Sequence, residues 1–111
     1  MDKLDLYRTY IQEILEEIAG YKAIPVEIET ELVIDRTRDH YLLVNVGWRN
    51  LKRTYGNPIH LDIKDGKIWL QQDMTDYSIA EKLLEKGVPK EDIVLAFHAP
   101  YKRPYTGFAI G

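Results

Sequence analysis

The sequence predicts an α+β fold: an N-terminal helix, a four-stranded antiparallel sheet and two C-terminal helices packed on the sheet. Three observations carry this. Apolar residues recur every three to four positions across residues 4–18, the signature of an amphipathic helix. Between residues 26 and 73 the period falls to two, through four alternating runs. After residue 75 the helical period returns. Helices segregated from an antiparallel sheet define the α+β class. With 111 residues, 45% of them hydrophobic and 30% charged, residues 1–111 read as one domain, long enough to close a core without staples.

The first helix is written in "DKLDLYRTYIQEILEEIAG". Leu4, Tyr7, Ile11, Ile14, Leu15 and Ile18 share one face, and Glu13, Glu16 and Glu17 face water. Gly20 is the expected C-cap, free to take a left-handed backbone. In "VEIETELVI", Val26, Ile28, Leu32 and Ile34 alternate with Glu27, Glu29, Glu31 and Val33, a strand with one wet face. "DRTRDH" is a turn, and "YLLVNVGW" a second strand with Leu42, Val44, Val46 and Trp48 on one side and Tyr41 and Leu43 on the other. Apolar residues on both sides place it inside the sheet.

"RNLKRTYGNP" reads as a basic connection rich in turn residues. "IHLDI" is the third strand, with Ile59, Leu61 and Ile63 inward and His60 and Asp62 outward. Asp65-Gly66 is a two-residue hairpin signal, so "IWLQQD" is a fourth strand antiparallel to the third. "TDYSIAEKLLEKG" is a helix capped by Thr75 or Asp76 and ended by Gly87, with Ile79, Ala80, Leu83 and Leu84 buried. In "VPKEDIVLAF", Pro89 suits the start of a second, short helix with Glu91 and Asp92 in its first turn.

Composition excludes several functions. There is no cysteine, hence no disulfide frame, thiol nucleophile or cysteine-ligated metal. No apolar run approaches the roughly twenty residues of a membrane span, and charges in "MDKLDLYRTY" argue against a secretion signal. A cytoplasmic protein is expected. The net charge of −3 is unevenly spread: residues 1–35 carry net −6 and residues 36–56 net +4, a polarity suited to binding an acidic surface.

Catalytic patterns are absent. Ser78 is the only serine and has no nucleophile-elbow context, and the glycines form no phosphate loop. A nuclease would use Asp62, Lys64, Asp65 and Lys67, but Asp65 belongs to a hairpin turn and no second strand carboxylate accompanies Asp62. Two or three of His40, His60 and His98 with Asp62 could ligate a metal in principle, yet no helical His-pair spacing supports it. The sequence therefore predicts no catalytic residue, no cofactor and no metal.

Binding is the better lead. In "WRNLKRTY", Arg49, Lys52 and Arg53 lie between Trp48 and Tyr55, and "YKRPY" repeats the theme with Tyr101, Lys102, Arg103 and Tyr105. Trp, Tyr and Arg are the residues that anchor protein interfaces. These eight, Trp48, Arg49, Lys52, Arg53, Tyr101, Lys102, Arg103 and Tyr105, are the predicted partner-binding set. Phe108 and Ile110 are expected to pack back on the sheet. An uncovered sheet also invites self-association, so a homo-oligomer is a further expectation.

Long stretches then resemble a known family. "DRTRDHYLLVNVGW", "YGNPIHLDIKDGKIWLQQD" and "IAEKLLEKGVPKEDIVLAFHAPYKRPYTGFAIG" are similar to the cyanobacterial fdxN-element excision controlling factor XisI family. The likeness runs from "LYRTYI" to the last glycine. It implies a role in programmed DNA rearrangement during heterocyst development, in which strand exchange belongs to a separate recombinase. XisI-like proteins are accessory to it and associate with XisH-like proteins, and no catalytic residue is defined for them. The resemblance thus implies a non-enzymatic accessory protein that binds an XisH-like partner, with the recombinase or DNA met indirectly. A DNA-binding accessory factor and a metal-dependent nuclease are the alternatives.

Overall fold

The computed structural model describes residues 2–21 and 27–111. Val26, expected to open the first strand, lies outside them. Helix α1 spans Lys3–Ala19 and buries Tyr7, Ile11, Ile14, Leu15 and Ile18, the stripe its spacing dictates. Asp2 caps it, its carboxylate accepting the Asp5 N–H at 2.8 Å. Gly20 is the C-cap but is right-handed, with φ −79°. Its N–H still donates to Glu16 and Glu17 carbonyls, so the helix ends by tightening and needs no left-handed residue.

The strands are β1 (Ile28–Asp35), β2 (His40–Arg49), β3 (Lys52–Lys64), β4 (Lys67–Asp73) and β5 (Ile93–Leu95), in the order β1-β2-β3-β4-β5. The first three pairings are antiparallel, and β5 pairs parallel to β4. The sheet is therefore five-stranded rather than four-stranded. At three residues, "IVL" is too short for alternation to announce it, and the preceding Pro-Lys-Glu-Asp hides it behind a helix-start pattern.

That pattern yields only a single 3₁₀ turn, Lys90–Asp92, in place of the second C-terminal helix. Ile93 and Val94 are buried as strand residues, which stops the helix at one turn. A second 3₁₀ segment, Pro100–Tyr105, follows.

Two further expectations are corrected. The basic stretch after Trp48 is strand, not connection: only Asn50-Leu51 turns the chain, Asn50 at φ 58°, and β3 starts at Lys52. Its first half alternates no apolar residues inward, so pairing with β2 rather than burial makes it a strand. The loss of register opposite Leu43 and Asn45 leaves an extra residue on β3 around Asn57-Pro58, where proline's missing N–H does no harm.

Helix α2 (Ile79–Glu85) is capped by Ser78, whose hydroxyl accepts the Glu81 N–H, and not by Thr75 or Asp76. Thr75 is bonded to the Asp73 carboxylate instead. Gly87, at φ 102°, follows the Lys86 cap. The Gly87 N–H donates to the Leu84 carbonyl and the Val88 N–H to that of Leu83, a Schellman closure with Val88 buried behind it.

The core lies on one face of the sheet. Tyr41, Leu43, Ile59, Leu61, Ile68 and Leu70 meet the α1 stripe and Ile79 and Leu83 of α2 in one cluster. Polar tethers fix α1 over it. Arg8 Nε donates to Asp39 at 2.7 Å, and Tyr41 Oη donates to the same carboxylate. At the other edge Tyr7 donates to Asp92, which also pairs with Lys3.

Candidate functional site

Beyond the core the sheet narrows to an arm. Pairing of β1 with β2 stops at Ile28–Gly47, and pairing of β3 with β4 stops at Ile59–Asp73. The β2–β3 ladder runs on to Trp48–Arg53 and Arg49–Lys52. Lys52 is seven residues past Ile59, about 23 Å at about 3.3 Å per residue.

Cross-strand partners share a face, so Trp48 and Arg53 point to one side and Arg49 and Lys52 to the other. The Arg53 guanidinium stacks over the Trp48 ring at 5.6 Å and reaches the Gly47 carbonyl at 3.4 Å. Trp48 remains 54% exposed, and Leu51, at the apex, is 97% exposed. Among the described residues neither Arg49 nor Lys52 joins an ion pair. The face bearing Trp48 continues through Val46 and Tyr55 to Val44 and Leu42, the side of the sheet opposite the helices.

A leucine among turn residues carries no periodicity, so no pattern in the sequence marks Leu51. The signal was its position: a large apolar side chain between Asn50 and Lys52, where burial is geometrically impossible.

The C-terminal residues divide differently from expectation. Tyr101, Lys102 and Tyr105 are exposed, Tyr105 at 89%. Arg103 is half-buried and structural. It donates from Nε to the His98 carbonyl at 3.0 Å and from Nη2 to the Ala96 carbonyl at 3.1 Å, with Trp69 5.6 Å below its guanidinium. Phe108 packs on the core, while Ile110, expected there too, is exposed. Ala109 ties this segment to the sheet by a bridge to Val94 and an N–H bond to the Ile93 carbonyl of 2.8 Å. The strand order separates this edge from the arm by β4, so the two basic–aromatic stretches form two patches.

Asp62 is the most engaged carboxylate on the outer face. Its Oδ1 lies 2.8 Å from His40 Nδ1 and 2.9 Å from His60 Nε2, and its Oδ2 accepts from Gln71 at 3.1 Å. Burial pushes its carboxyl up, but the two imidazoles outweigh burial and hold it below the ordinary aspartate value. Of the other nuclease candidates, Lys64 lies 4.2 Å over the Trp69 ring. The His98 ring lies 4.7 Å from that of Phe97, tilted 47° to it, and is not part of this cluster.

The sequence pattern described as XisI protein matches residues 1–110. The chain belongs to the XisI family. Two solved structures support the assignment at the level of fold. A XisI-like protein from Anabaena variabilis ATCC 29413 is 47% identical with a TM-score of 0.93, the match covering 98% of this chain and 100% of that one. The fdxN element excision controlling factor XisI from the same organism is 40% identical with a TM-score of 0.88, covering 99% and 100%. No curated protein matches the chain. The α+β arrangement described above, with its N-terminal helix and sheet, matches those XisI-like structures. Among the described residues no helix is long and apolar enough to cross a membrane.

Proposed function

We propose that this XisI-family protein is a non-enzymatic accessory subunit that controls excision of a DNA element by binding a partner protein of the XisH-like class. The relative named as an excision controlling factor supports the process. The observation that carries the binding mode is the β2–β3 arm, which holds Trp48 on its ladder and Leu51 at its apex in water, with Arg49, Lys52 and Arg53 around them.

Burying such side chains against a partner yields roughly 1.5–3 kcal/mol each, and a preformed ladder loses little entropy on docking. The arginines then complement acidic groups at the rim, which sets orientation and on-rate. Tyr101, Lys102 and Tyr105 form a second patch in the segment that follows the edge strand β5. A partner that engages both patches must span the sheet.

The test is co-expression with the XisH-like protein of the same genome, followed by size exclusion with light scattering. A stoichiometric complex is expected, lost in Leu51→Glu with its circular dichroism unchanged. Leu51 contributes nothing to the core, so that variant separates binding from folding. If instead the chain elutes alone and binds duplex DNA with an affinity that falls steeply with salt, the partner reading is wrong and the arm is a DNA contact.

A further inference from the structure

The geometry points to a site for a divalent transition ion, of the zinc class, formed by His40, His60 and Asp62 on the uncovered face of the sheet. His60 and Asp62 are two apart on β3 and so share a face, and His40 on β2 is the direct cross-strand partner of Asp62. Ring nitrogens and a carboxylate oxygen of the three lie within 4.8 Å of one another. A tetrahedral zinc with bonds of about 2.0–2.2 Å holds its ligands about 3.3 Å apart. The two histidine–aspartate separations are 2.8 and 2.9 Å and the ligand atoms span up to 4.8 Å, so the widest pair must close by about 1.5 Å, within reach of side-chain rotation, to admit the ion.

Two surrounding features favour a site over a self-contained hydrogen-bond cluster. The pairing of β3 with β4 slips between His60 and Leu61, which leaves Gln71 as an extra residue on β4. This bulge carries the Gln71 amide to Asp62 Oδ2, orienting the carboxylate as outer partners of metal ligands do. The neighbouring cation, Lys64, is held over Trp69 and makes no ion pair with Asp62 among the described residues. One charged carboxylate with two imidazoles and no competing ammonium suits zinc, nickel or copper, and is too poor in oxygen for magnesium or calcium. The remaining coordination positions face solvent, since His40 is more than half exposed. A bound ion would therefore carry exchangeable water.

The experiment is calorimetric titration of zinc into the full chain after EDTA treatment and buffer exchange, with magnesium as the comparison. One zinc per chain is expected, with no heat from magnesium and an intense cobalt(II) visible spectrum from the same site. His40→Ala, at an exposed position that leaves folding intact, should cost more than the roughly 10–100-fold that losing an outer-sphere partner costs. Gln71→Ala should fall within that 10–100-fold range, and His98→Ala should bind as the parent does. No zinc uptake, or uptake in His40→Ala at the parent affinity, would overturn the site.

Discussion

Tyr7 and Tyr41 are the two tyrosines buried in the core among the described residues, and Tyr7 is tolerated because its hydroxyl has Asp92 to donate to, as that of Tyr41 has Asp39. The Tyr7 bond holds the second turn of α1 to the 3₁₀ turn before β5, 85 residues away. Burial alone would raise the Asp92 carboxyl; the Tyr7 hydroxyl and the Lys3 ammonium outweigh it and keep it below the ordinary value. Burial and the adjacent Asp92 carboxylate both push the Tyr7 hydroxyl up. A depressed carboxyl contributes stability that is present above the unfolded aspartate value of about 3.9 and is lost as pH falls through the lower, folded one. A raised phenol contributes stability below about 10 that is lost in stronger alkali. Tyr7→Phe should therefore cost about 1.5–3 kcal/mol at pH 7, the worth of a hydrogen bond to a charged group. The difference from the parent should shrink as pH is lowered past 3.9. Urea unfolding at pH 7 and pH 3 measures both, and a difference that does not change with pH would mean that the phenol acts by packing alone.

Among the elements, those fixed by their own periodicity were legible: α1 from its stripe, the β3–β4 hairpin from Asp65-Gly66, both left-handed at φ 53° and 77°. Those fixed by a neighbour were not. The first half of β3 exists because β2 is there to pair with, and β5 because β4 offers an edge. The cap of α2 was readable in Ser78 and Glu81, three apart as in a capping box, but Thr75 and Asp76 offered the same chemistry nearer the turn.

The same division runs through the candidate sites. Trp48, Arg49 and Lys52 were visible as composition, whereas His40 meets Asp62 only through a register that no spacing encodes. Gly47 shows what the register demands locally. A Cβ there would sit 2.5 Å from the Glu27 carbonyl oxygen and 3.0 Å from Ile28 Cα, whereas at Gly56 it would meet nothing within 4 Å. Gly47→Ala must push the start of β1 off β2, at about 1–3 kcal/mol as for other overpacked sites. Gly56→Ala should stay within about 0.5 kcal/mol. Thermal unfolding of the two variants side by side tests the pairing, and equal melting temperatures would contradict it.

At the scale of the whole molecule, the sheet has one finished face and one unfinished one, and the C-terminal segment decides where its far edge ends. Residues 96–111 leave β5, turn through the 3₁₀ segment and return so that Ala109 bridges Val94. That return covers the outer side of β5 and seats Phe108 on the core. Arg103 locks the turn by donating to two carbonyls of the same segment while lying over Trp69 of β4. The segment is therefore part of the fold along its inner side and a surface only along Tyr101, Lys102 and Tyr105. Removing residues 101–111 strips Phe108 from the core and frees the β5 edge, so stability should fall by about 2–4 kcal/mol, in the range of losing a large buried side chain. Tyr101→Ser with Tyr105→Ser leaves every one of those contacts in place, and its unfolding should match the parent within about 0.5 kcal/mol per site. If the double substitution weakens the complex with the partner protein while stability holds, the second patch is a binding surface. If the truncation unfolds no more readily than the parent, the Ala109 bridge and the Phe108 contact contribute nothing and the segment is a tail after all.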